Sequence, residues 1–97
     1  MTAPTVGRKV WFWPSEQESY MNVEDDTQPL DATVLFVHKD ERINLLVVDH
    51  LGHTHPEMNV LLIQEGETKP EGEGFATWMP YQVKQHAKAE AAEEATK

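Results

Sequence analysis

The chain has 97 residues, enough for one small domain with a single modest core. It contains no cysteine, which excludes disulfides, thiolate metal centres and cysteine nucleophiles, and which fits a reducing compartment. With 17 acidic against 8 basic residues the formal net charge is −9. That is a poor match for a phosphate backbone, whose binding depends on clustered Lys and Arg.

In chain order, residues 1–7 read as a flexible N-terminal arm without the apolar core of a signal peptide. RKVWFW (8–13) is a strand rich in aromatics and valine, ended by Pro14. SEQESYMNVEDDTQP (15–29) is a long polar connection, in which Ser15 and Glu18 form a capping-box pattern that predicts one helical turn around 15–20. LDATVLFVH (30–38) and RINLLVVDH (42–50) are the second and third strands, and HKDER is the turn between them. LGHTHPE (51–57) reads as a turn, MNVLLIQ (58–64) as the fourth strand, and the glycine-rich 65–74 as a loop. FATWMPY (75–81) is a short fifth strand. The Ala/Glu-rich tail 82–97 has helical propensity but little to bury, so a disordered or helical tail is expected. No apolar run approaches the roughly 18 residues of a membrane-spanning helix.

Five short strands without a central helix predict an all-β fold, a small five-stranded antiparallel barrel over residues 8–81. Strict alternation puts Leu30, Ala32, Val34 and Phe36 on one face of the second strand. It likewise groups Ile43, Leu45 and Val47 in the third, and Met58, Val60 and Leu62 in the fourth. In the first strand the same rule opposes Val10 and Phe12 to Trp11 and Trp13. The larger indole area favours Trp11 as the inward residue, with Trp13 at the rim and the 14–28 connection roofing the face left over. Strands two to four are apolar on both sides, more than a half-exposed sheet requires.

DHLGHTHPE brings His50, His53 and His55 within six residues, with Asp49 and Glu57 beside them. Neutral imidazoles are common zinc ligands, so this turn is the candidate metal site, although a structural zinc usually takes four protein ligands. No nucleophile elbow, phosphate-cradling loop or HExxH is present, and the acidic pairs sit in polar connections. An enzyme is therefore not expected, nor a cofactor. Trp13, Tyr20, Trp78 and Tyr81 are the candidate protein-interface residues, because aromatics with a polar tip are enriched in interfaces.

GRKVWFWP, QPLDATVLFV, INLLVVDHLG and FATWMPYQ, in that order over residues 7–82, resemble a family of small proteins of tailed bacteriophages and prophages. The resemblance implies an SH3-like barrel and a phage-encoded origin, with Asn44 and Trp78 as positions used for packing. It implies no activity, and no catalytic residue is carried over. The three-histidine turn and the tail depart from the family pattern. The expected function is contact with a protein partner, as a virion component or by binding a host factor, or self-association. The expected location is the bacterial cytoplasm or the virion. The alternatives are metal binding through the histidine turn, and an acidic mimic of nucleic acid that inhibits a host DNA-binding protein.

Overall fold

The computed structural model describes residues 3–39, 42–64 and 66–79. It is an all-β closed barrel of five strands: β1 (Lys9–Trp13), β2 (Leu30–Val37), β3 (Arg42–Val48), β4 (Thr54–Ile63) and β5 (Phe75–Thr77). A single 3₁₀ turn, Glu16–Glu18, follows β1. There the Glu18 carboxylate reaches back to accept the Ser15 N–H at 3.1 Å and the Ser15 hydroxyl at 3.0 Å. Among the described residues no helix is long and apolar enough to cross a membrane.

The barrel differs from an all-antiparallel sheet at one seam. A closed ring with an odd number of strands cannot reverse direction at every seam, so one pair must run parallel. Here it is β4 with β5, which pair at Leu61–Phe75, Leu62–Ala76 and Ile63–Thr77; the other four seams are antiparallel. Parallel neighbours need a crossover rather than a tight turn, and the glycine-rich 64–74 connection is that crossover. It re-enters the sheet at Gly74, where an added Cβ would lie 2.5 Å from Glu18 Oε1 and 2.6 Å from Phe12 Cζ.

β4 begins at Thr54 and not at Met58, so the segment read as a turn is largely strand. Pro56 is tolerated within it because β5 pairs β4 only from Leu61 onward. The side of β4 away from β3 has no ladder bond to lose at Pro56.

The core joins Val10, Phe12, Leu30, Ala32, Val34, Ile43, Leu45, Val47, Val60, Leu62, Ala76 and Trp78, with Met21 added from the β1–β2 connection. The inward pair on β1 is therefore Val10 and Phe12, and Trp11 lies on the outer face. The register explains the correction. Val10 faces Ala32, and Phe12 faces Leu30 and Ala76, which leaves room for one phenyl ring. Indoles at the inward positions would overfill so narrow a barrel.

The two outer tryptophans are held laterally by β5 and by each other. Trp13 Nε1 donates to Thr77 Oγ1 at 3.0 Å. Its ring stacks on Phe75 at 6.5 Å between centroids and meets Trp11 edge-on at 6.3 Å. Lys69 Nζ stands 5.7 Å from the Phe75 ring centre. The connection expected to roof this face runs instead to the β3–β4 turn, where its backbone groups find partners.

Candidate functional site

Two bulges face each other across one residue of β3. In β2 the register steps from Val34–Leu45 to Phe36–Asn44, leaving Leu35 as the extra residue. In β4 it steps from Glu57–Leu45 to Val60–Ile43, so that Met58 and Asn59 together oppose Asn44. Asn59 adopts φ +55°, the left-handed conformation that Asn tolerates better than most residues. The Asn44 side-chain oxygen accepts the Asn59 N–H at 3.0 Å and lies 2.9 Å from His38 Nε2, which donates to it. Arg42 Nη1 completes the arrangement by donating to the Asn59 carbonyl at 2.7 Å.

A bulge shifts every side chain beyond it by one residue, which exchanges the faces of the strand. Phe36 and Met58, expected to share the core faces of their strands, consequently point outward. They are 54% and 53% exposed, and Leu35 beside them is 44% exposed. Val37 takes the inward position instead and packs against the core. Phe36 meets the His38 ring edge-on at 4.9 Å. The outcome is three large apolar side chains around a polar pivot on the outside of the sheet.

The second cluster lies where the β1–β2 connection crosses the β3–β4 turn. Asp49 is buried, and its carboxylate organises that turn by accepting the backbone N–H groups of Leu51 at 3.0 Å and His53 at 2.9 Å. It also accepts from the Asn22 side chain at 2.8 Å, the Asn22 N–H at 3.2 Å and His55 Nε2 at 2.7 Å. Burial alone would raise the Asp49 pKa, but hydrogen bonds from His55, Asn22 and the His53 backbone outweigh it. They hold the carboxyl well below the usual carboxylate range.

His50 ties down the rest of the connection. Its N–H donates to the Asn22 carbonyl at 2.9 Å and its Nδ1 accepts the Glu24 N–H at 2.9 Å. Tyr20 crosses the edge of β4, with its ring 5.6 Å from that of His55 and its hydroxyl donating to the Glu57 carboxylate. That hydrogen bond, with burial and the charges of Glu57 and Glu18 behind it, pushes the Tyr20 pKa up to about 12. Glu57 is itself raised, by burial first and then by the neighbouring Glu18 carboxyl, against the lowering pull of Tyr20 and His55.

The three histidines of the expected metal site are not brought together around a common point. His50 faces the Glu24 and Pro29 backbone, His55 faces Asp49, and His53 Nδ1 lies 3.3 Å from the Asn22 amide nitrogen. Among the described residues no group of three or more His, Cys, Asp or Glu could hold a metal ion. His53 Nδ1 also lies 3.8 Å from the Asp49 carboxylate that His55 contacts, whereas His50 is held at the Glu24 and Pro29 backbone, so the three rings share no common point.

The candidate interface aromatics separate likewise. Trp78 is a core residue, two positions beyond the inward-facing Ala76 and so on the same side of the chain. Trp13 is half-buried on the outer face of β1, and Tyr20 is exposed on the connection, each with its own ring partners. Tyr81 and the tail 82–97 lie outside the described residues. The residues that alternation misplaced are Phe36 and Met58. The available signal was Asn59, a strand-breaking residue inside an otherwise apolar run. Comparison with family models, with curated proteins and with solved structures finds no match to this chain.

Proposed function

We propose that this chain is a non-enzymatic protein of a phage or prophage that acts by contact with another protein, through the outer face gathered around Asn44. The observation that supports contact is the pair of opposed bulges. They turn Leu35, Phe36 and Met58 outward on a sheet whose alternation would otherwise bury Phe36 and Met58. Bulges recur where a strand must re-aim a side chain, and exposed apolar clusters with a polar surround mark interaction sites. The sequence resemblance supports the phage origin.

The test compares wild type with Phe36→Ser and Met58→Ser in affinity capture from infected and uninfected host lysate. Both residues are more than half exposed, so folding stability should change by no more than about 0.5 kcal/mol. The expected result is a specific partner retained by wild type and lost by both variants. Retention of the same species by both variants, or wild type capturing nothing specific, overturns the reading. Concentration-dependent self-association of wild type that the variants abolish would make a second copy the partner.

A further inference from the structure

The β1–β2 connection is a strap, and one imidazole fastens its second half. His50 Nδ1 accepts the Glu24 N–H at 2.9 Å, while Nε2 lies 3.3 Å from the Pro29 carbonyl oxygen. A backbone N–H can only donate and a carbonyl can only accept. The ring must therefore be the neutral tautomer, bare at Nδ1 and protonated at Nε2. Any proton added to Nδ1 sets two N–H groups against each other and removes the Glu24 tie.

We propose that His50 is a pH-sensitive latch, which holds residues 23–28 against the β3–β4 turn when neutral and releases them when protonated. Histidine is the side chain whose ordinary titration lies in the mildly acidic range. The charged groups around the ring are Asp49 next to it on the turn, and Glu24 and Asp25 on the strap. These carboxylates attract an imidazolium, so protonation turns the ring from the backbone toward Asp25. His53, the other titratable group of the turn, touches the strap only through the Asn22 amide. Asn22 itself stays anchored to Asp49. Opening is thus confined to the segment bearing Val23 and the acidic run Glu24, Asp25 and Asp26, while the barrel stays closed. The latch is at the opposite end of β3 from Asn44 and is independent of the contact surface proposed above.

The experiment is amide hydrogen exchange by NMR on the full chain from pH 7.5 to 5.0, in the presence of a chelator, with rates corrected for intrinsic pH dependence. The protection of the Glu24 amide should be lower by about tenfold at pH 5.0 than at pH 7.5, while Leu45 and Val47 keep theirs. Ring ¹⁵N shifts at pH 7.5 should show the Nε2–H tautomer. His50→Gln retains one acceptor and one donor but does not titrate, so it should abolish the pH response. Undiminished Glu24 protection at pH 5.0, a charged His50 ring at pH 7.5, or the same loss in His50→Gln overturns the latch.

Discussion

The side-chain oxygen of Asn44 accepts the backbone N–H of Asn59 at 3.0 Å, which ties a left-handed residue of β4 to the middle of β3. The same oxygen takes a hydrogen bond from His38 across the β2 bulge. One amide in the central strand therefore pins the two irregularities on either side of it.

Asn44→Ala removes the acceptor of the exposed Asn59 N–H, and the expected loss is about 0.5–1.5 kcal/mol in denaturant unfolding. Asn59→Ala should lose about 1 kcal/mol more than Asn59→Gly, because only Gly adopts φ +55° without a Cβ penalty. Equal stabilities for the two Asn59 variants would mean that β4 can lose its bulge.

Gly74→Ala tests the crossover. Its Cβ would press on the Phe12 ring, which is buried, and on the Glu18 carboxylate. Overpacking of this kind costs about 1–3 kcal/mol. Phe12→Ala should cost about 3–5 kcal/mol by leaving a cavity in the core. Thermal and denaturant midpoints check both, and an unchanged midpoint for Gly74→Ala would show that the crossover can shift outward.

Trp13 and Phe75 form a stacked pair with a hydrogen bond from Trp13 to Thr77. A double-mutant cycle on the two rings should return a coupling of about 0.5–1.5 kcal/mol. Trp13→Ala should lower stability without unfolding the domain, and partner capture should survive it. If capture fails while the fold remains intact, the contact surface includes the outer face of β1.

Asp49 and Glu57 respond to pH in opposite senses. The Asp49 carboxyl is depressed in the folded state, so its contribution is present above the ordinary carboxylate pKa near 4 and is lost as pH falls below it. Asp49→Asn should flatten that acid limb and free the Asn22 amide. Glu57 is raised, so the folded state binds its proton more tightly, and stability falls as pH rises from the ordinary value to the raised one. Glu18→Gln removes the neighbouring charge and should reduce that fall. Urea midpoints between pH 3 and pH 7 read both effects; identical profiles for wild type and Glu18→Gln would sink the carboxyl pairing.

Much of the architecture was legible because it rests on local chemistry. Turn residues divide the chain into five apolar runs, and the Ser15–Glu18 spacing places a helical turn where Glu16–Glu18 forms. Strand number then carries a consequence beyond the runs themselves, since closing five strands demands a parallel seam and a long crossover. The inward faces were less legible. Alternation assumes an unbroken register, whereas Leu35 and Asn59 each interrupt it and so reverse the placement of Phe36 and Met58.

By itself the sequence determined an acidic, cysteine-free, all-β chain with surplus apolar strand faces and a histidine-rich turn. The tertiary structure alone decided that Val10 and Phe12, not the larger Trp11, fill the barrel, because Ala32, Leu30 and Ala76 define the space opposite. It also decided the fate of the histidines. A metal site needs convergent lone pairs, and convergence depends on which backbone groups the returning strap leaves unpaired. His50 serves the backbone of Glu24 and Pro29 while His53 and His55 lie against Asp49, so three rings close in sequence do not converge in space.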